Sequence, residues 1–320
     1  MWLIVLSGCA TLDAFIASPR DRLEWLGVED SGTSATPVDE TDTGEGGLGP
    51  VEAFSVGAAA TCLIEDGGGL RCFYGQSVSD EWVQSEPSGG PWSSVVVGFE
   101  HACAVRLNGS LDCWGRDFQF DAGDSSPDER FRAGPFDEVR LGVRMGCGAI
   151  EGTWSCWAYE AGWDEGQPVL ENVRDLDVWN GACAILPSGT VCWGMAENPS
   201  FDGIDAVQVR LGPAMACVRD SIGDVWCSGF EQARWTEPER VARTAEAMSR
   251  PEEQGSVCVL TDGDIDCFGS VGFAVEDSGT PLPVLGSFVE VGASRNFACG
   301  RTRGGTLECF GRTSDARMPR

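Results

Sequence analysis

The sequence predicts an all-β fold, a seven-bladed β-propeller of short antiparallel sheets. Three observations carry this. Fourteen of the fifteen cysteines form seven close pairs: Cys62 with Cys72, Cys103 with Cys113, Cys147 with Cys156, Cys183 with Cys192, Cys217 with Cys227, Cys258 with Cys267, and Cys299 with Cys309. The pairs recur every 34 to 44 residues, a period at which propellers and solenoids are expected. Turn signals such as Asn108-Gly109 and Asp262-Gly263 lie inside the pairs, flanked by short apolar segments.

The innermost element of each unit is a β-hairpin. Two short apolar runs around an Asn-Gly or Asp-Gly turn form one. The separation of nine or ten within each pair then acquires a meaning. In the Cys258 unit a two-residue turn at Asp262-Gly263 sets the cysteines opposite each other. One more residue in the turn gives a separation of ten and keeps them opposed. Opposed residues at a non-hydrogen-bonded site lie about 4.5 Å apart at Cα, within disulfide reach. Zinc ligation fits poorly, because the spacing is wrong and His101 is the single histidine. Reduced core cysteines are the competing reading. The regular pairing favours disulfides.

Upstream of the hairpin a further strand ends in Gly: Ser55-Val56-Gly57, Val96-Val97-Gly98, Arg140-Leu141-Gly142, Arg210-Leu211-Gly212 and Glu290-Val291-Gly292. Downstream, most second cysteines precede an aromatic residue and usually Gly, as in Cys113-Trp114-Gly115. These aromatics are expected to pack between neighbouring units. Each unit therefore offers three or four strands and no amphipathic helix. Such small sheets leave raw edges, and a radial arrangement of seven buries their faces.

Composition narrows the function. The formal net charge is −28, and all 22 basic residues are arginine. That field repels phosphate backbones, so no nucleic-acid partner is expected. The absence of lysine excludes Schiff-base and phosphate-loop lysine chemistry. A single histidine excludes a multi-histidine metal site, and no cofactor or metal is expected.

The N-terminal stretch Leu6-Ser7-Gly8-Cys9 follows an apolar run and resembles the bacterial lipoprotein signal. That resemblance implies a signal-like segment over residues 1–8, lipid attachment at Cys9 and an exported, envelope-bound protein, with the membrane reached only through the lipid. Residues 29–50 are rich in Gly, Thr, Ser and acids and read as a flexible tether. The expected organisation is a lipidated cysteine and acidic tether over 9–50 and a propeller over 51–320.

Residues 97–115, Val97-Gly98-Phe99-Glu100-His101-Ala102-Cys103 and then Asn108-Gly109 up to Trp114-Gly115, resemble the regulator of chromosome condensation repeat. The likeness runs over roughly residues 51–311, and its cysteine pairs match the exported bacterial type. It implies seven blades, commonly closed by pairing strands from both chain ends. The founding activity, nucleotide exchange on a small GTPase by a factor that is itself bound to chromatin, is not carried over, because the acidic charge argues against chromatin.

His101 reads as a structural histidine within the repeat, and Asp262-Gly263-Asp264-Ile265-Asp266 lacks the remaining ligands of a calcium loop. Two longer connections are the candidate binding loops: residues 116–135 with Phe118, Phe120 and Phe131, and residues 231–256 with Trp235. The leading expectation is a monomeric, non-enzymatic protein-binding scaffold or inhibitor at the cell envelope, with an unknown protein as partner. The alternatives are a carboxylate-based lyase or hydrolase at the propeller axis, and a structural envelope component.

Overall fold

Around each cysteine pair the chain turns back on itself as the turn signals require. At Asp262 and Gly263 both φ angles are positive, 53° and 83°, the combination a type I′ hairpin needs. The pairing Thr261 with Asp264 then brings Cys258 opposite Cys267. All seven pairs meet in this way and are disulfide-bonded, with Cα–Cα distances of 4.0–4.1 Å. A computed structural model describes residues 48–58, 60–75, 83, 86–99, 101–115, 134–143, 145–158, 168–195, 197–231, 234–251, 256–268, 283–294, 296–311 and 319.

Seven antiparallel sheets follow one another along the chain. The first three blades are β1 (Val51–Val56), β2 (Ala60–Glu65) and β3 (Gly69–Tyr74); β4 (Trp92–Val97), β5 (His101–Arg106) and β6 (Leu111–Gly115); and β7 (Glu138–Leu141), β8 (Met145–Ile150) and β9 (Thr153–Ala158). The fourth is β10 (Asp175–Val178), β11 (Ala182–Leu186) and β12 (Gly189–Trp193). The fifth is β13 (Ala206–Leu211), β14 (Met215–Asp220) and β15 (Val225–Glu231), extended by β16 (Arg234–Trp235) and β17 (Glu239–Ala242). The last two are β18 (Ala247–Met248), β19 (Val257–Thr261) and β20 (Asp264–Phe268), then β21 (Phe288–Ala293), β22 (Phe297–Thr302) and β23 (Leu307–Gly311). The chain is a seven-bladed β-propeller, and the first strand of each blade lies at the axis.

Blades pack through the two sequence signals. Where an aromatic follows the second cysteine, it sits against the preceding blade. Trp114 joins Ala60 and Cys62 of blade one, Trp157 joins Cys103 and Val105 of blade two, and Phe268 joins Cys217 and Val225 of blade five. The glycine that ends an axial strand faces the next blade. A Cβ on Gly98 would lie 2.7 Å from the Gly142 carbonyl oxygen, and one on Gly142 or Gly212 would come closer still to the carbonyls of Trp179 or Pro251. Only glycine lets these backbones approach so closely.

The seventh unit corrects the sequence reading. Gly292 pairs with Cys299, whereas Gly57, Gly98, Gly142 and Gly212 each lie two residues beyond the cysteine-facing position. The structural equivalent is Ser294, whose N–H donates to the Phe297 carbonyl as Gly98 does to His101.

Ring closure also differs from the resemblance. Among the described residues no strand from one chain end enters the sheet at the other. The first and seventh blades meet face to face, with Val51, Phe54 and Leu63 packed on Phe297 and Cys299. One backbone bond, Val51 N–H to the Gly305 carbonyl at 2.8 Å, joins them. The same bond recurs around the ring, as in Trp92 to Gly68 and Phe288 to Gly263. The closing interface is thus built like other blade interfaces.

Candidate binding site at the propeller axis

The axial strands surround a cavity of about 710 Å³. Its walls are set by the residue that pairs with the first cysteine of each blade. In β1, β4, β7, β10, β13 and β21 that residue is Ser55, Val96, Arg140, Asp177, Arg210 and Gly292. In blade six it is Ser249, whose N–H donates to the Cys258 carbonyl, followed by Arg250. The channel therefore has two unlike halves. Blades three to six supply Arg140, Asp177, Arg210 and Arg250, whereas blades seven, one and two supply small or apolar residues such as Ala53, Ser94, Gly292 and Ala293, with Glu290 as the charged exception.

The charged half holds two adjoining groups, one around Asp175 and one around Asp177. Asp175 Oδ2 accepts from the Val209 N–H at 2.8 Å and from Arg210 Nη1 at 2.7 Å. Asp177 Oδ2 accepts from the Leu211 N–H at 2.8 Å, and Asp177 Oδ1 from Arg250 Nη2 at 2.6 Å. Arg140 pairs with Glu138 and lies 3.7 Å from Asp175. Ser55 does at blade one what Asp177 does at blade four: its hydroxyl accepts from the Val97 N–H at 3.0 Å. The carboxylates thus serve as inter-blade stitches, and the arginines balance them.

Burial pushes the Asp177 carboxyl up, but Arg250, Arg210 and the hydrogen bonds outweigh it and hold the group below its ordinary range. Burial likewise opposes the charge on Arg210, which Asp175 and Asp177 more than restore. Glu290 is raised, mainly by burial, against the opposing pull of Arg301 Nε at 2.8 Å. Axial acid–base chemistry would need converging carboxylates that hold a proton. Of the channel carboxylates, Glu290 is raised while Asp177, the most enclosed, is fixed as an anion, so among the described residues no pair of raised carboxylates converges there.

His101 is buried, and its pKa is pushed down to about 3 by burial and by the positive charge of Arg250. It is a neutral ring packed under the Gly98 backbone, which agrees with a structural role. Asp264 and Asp266 are both buried in β20, Asp264 accepting from the Gly286 N–H at 3.0 Å. Among the described residues no cluster of His, Cys, Asp or Glu has metal-binding geometry.

Of the sequence-derived sites, Cys9, Phe118, Phe120 and Phe131 lie outside the described residues. Trp235 lies in β16, in register with Phe230. The axial network was not anticipated. It could have been found by reading the column seven residues before the first cysteine, which is Ser55, Val96, Arg140, Arg210 and Gly292 in five units. The column shifts to six residues at Asp177 and nine at Ser249, which hides it from inspection of a single unit.

Comparison with known proteins agrees with this architecture. Residues 92–119 match the model of the regulator of chromosome condensation (RCC1) repeat. No curated protein matches the chain significantly in sequence. Among solved structures, the chain is similar to the CRINKLY WD40 ectodomain of the Arabidopsis thaliana receptor kinase ACR4, at 18% identity and a TM-score of 0.58, covering 85% of this chain and 99% of that one. The ectodomain of the Physcomitrella patens receptor kinase CR4 gives 19% identity and a TM-score of 0.56, over 82% and 74% of the two chains. The C-terminal domain of gp131 from bacteriophage phiKZ gives 11% and 0.52, over 85% and 94%. At these identities the likeness is one of fold.

Proposed function

We propose that this propeller is an exported, non-enzymatic protein-binding scaffold or inhibitor, held at the bacterial envelope by a lipid on Cys9 with residues 9–50 as its tether. The observation that carries the binding reading is the pair of apolar side chains at hairpin tips. Leu107 in blade two and Ile222 in blade five are 69% and 75% exposed, each on a turn bracketed by a disulfide, Cys103 to Cys113 and Cys217 to Cys227. An apolar group displayed on a pre-ordered turn loses little conformational entropy on association, which favours protein recognition. Seven intramolecular disulfides fit an oxidising compartment, and the strongly acidic chain favours a partner with a basic surface.

The test uses the full chain displayed on envelope vesicles, compared with a Leu107→Glu/Ile222→Glu variant and a Cys9→Ser variant. The expected result is one stoichiometric protein retained by the parent and lost by the turn variant, with Cys9→Ser releasing the chain from the membrane fraction. Equal retention by parent and turn variant would remove the role assigned to the turns. Membrane association unchanged in Cys9→Ser would remove the anchor.

A further inference from the structure

The charged half of the channel holds more hydrogen-bond donors than the described residues use. Its enclosed carboxylates are engaged: Asp177 takes the Leu211 N–H and Arg250, and Asp175 takes the Val209 N–H and Arg210. The guanidiniums are not. Arg210 bonds only through Nη1, to Asp175 and to the Val209 carbonyl at 2.6 Å. Its Nε and Nη2 meet no acceptor among the described residues, and its side chain keeps 19% of its surface open. Arg250 uses Nε and Nη2 on Asp177, and its Nη1 meets no acceptor among the described residues. A guanidinium carries five N–H donors in a planar fork that matches a carboxylate.

The facing wall is complementary in kind. Ala53, Ser94, Gly292 and Ala293 carry little side chain, and the Glu290 carboxylate beside them is taken by Arg301 Nε at 2.8 Å. The cavity volume of about 710 Å³ falls within the range of small-molecule sites, about 300–1,000 Å³. A ligand that fills it must bring acceptors to one side and an apolar body to the other.

We propose that the axial channel binds a small organic carboxylate, its anionic group taken by the spare N–H donors of Arg210 and Arg250 and its apolar body laid against Ala53, Ser94, Gly292 and Ala293. The site is separate from the hairpin tips, and it stands whether or not those tips bind a protein.

Three probes with one ring and different head groups test this by calorimetry on the full chain: benzoate, benzyl alcohol and benzylamine. Benzoate is expected to bind saturably, benzyl alcohol about tenfold or more weakly, and benzylamine not at all. Arg210→Gln is expected to weaken benzoate by about tenfold or more. Ser94→Phe fills the opposite wall without touching an arginine and is expected to weaken it as much, in a chain whose thermal midpoint and disulfides are checked first. The proposal is overturned by the absence of saturable benzoate binding, by equal binding of the three probes, or by benzoate binding that survives Ser94→Phe in a folded chain.

Discussion

Arg250 of the sixth blade reaches past the fifth and sets its Nη2 2.6 Å from Asp177 Oδ1 of the fourth. Asp177 is 1% exposed and Arg250 16%, so the pair is largely withdrawn from water. The same carboxylate accepts the Leu211 N–H, and Leu211 belongs to the blade between them. One side chain thus ties three consecutive blades at the axis, where their sheets share no backbone ladder. Arg250 also lies 5.7 Å from the Trp179 ring centroid, and Trp179 holds the place that glycine holds in blades one, two, three and five. Where the repeat loses its close backbone approach, a charged tie spans the ring.

Removing one member of this tie leaves the other buried and uncompensated. Arg250→Leu is expected to destabilise the propeller by about 3–5 kcal/mol. The double variant Asp177→Asn/Arg250→Gln keeps the acceptor for Leu211 and removes both charges, so its loss should be the smaller of the two. Guanidinium denaturation under oxidising conditions measures both. A double variant at least as unstable as Arg250→Leu would show that the ion pair does not govern the site.

His101 makes stability depend on pH. Its folded pKa is pushed down to about 3, against an unfolded value of about 6.5. The unfolded chain therefore binds the proton first. Its contribution is complete above about pH 6.5 and is lost as pH falls toward 3, at a limiting slope of about 1.4 kcal/mol per pH unit. Between pH 6 and pH 5 this slope is separable from that of the carboxylates. Glu290 and Glu86 are raised, mainly by burial, so they act with the opposite sign. His101→Gln should flatten the pH dependence of the unfolding midpoint in this interval; an unchanged slope would place the titration elsewhere.

The cysteine framework was legible because its geometry is local. Strand period two and turn length together decide whether residues nine or ten apart can meet, and both can be read within one unit. The interleaved aromatics were legible for the same reason, since Trp114, Trp157 and Phe268 follow the cysteine that fixes their face. The axial network was not, because Asp175, Asp177, Arg210 and Arg250 come from three blades and meet only when the ring is assembled. Gly292 shows a related failure. It follows Val291 as Gly57 follows Val56, but in β21 the cysteine-facing position falls on the glycine itself, so local likeness misplaced the register by two residues.

The glycine contacts predict a sharp contrast. A Cβ on Gly142 would collide with the Trp179 backbone, whereas one on Gly69 would meet nothing nearer than Glu65 Oε2 at 3.8 Å. Gly142→Ala should destabilise by about 1–3 kcal/mol or more, as overpacking between rigid backbones does. Gly69→Ala should be close to neutral. Thermal unfolding of the two variants checks this, and similar midpoints would contradict the close approach of blades three and four.

Each disulfide closes a loop of about ten residues, worth about 2–3 kcal/mol by chain entropy. Cys183→Ala/Cys192→Ala, in a blade whose third strand gains no further partner among the described residues, should lower stability by roughly that amount. Alkylation in denaturant should label fourteen thiols after reduction, given seven bonds. On the proposed Cys9 anchor none reacts beforehand; one reactive thiol in the unreduced mature chain would contradict lipidation.

The last prediction concerns the ring itself. Since blades one and seven meet through apolar faces and one backbone bond, the joint depends on packing more than on a shared ladder. Phe297 is fully enclosed there, beside Phe54 and Leu63. Phe297→Ala should remove about 3–5 kcal/mol, and the loss should be spatially uneven. Amides of β1 and β22, which form the joint, should exchange faster with deuterium, while those of β10 and β11 on the far side keep their protection until the whole ring unfolds. Uniform loss of protection around the ring would instead mean that the seven blades open as a single unit.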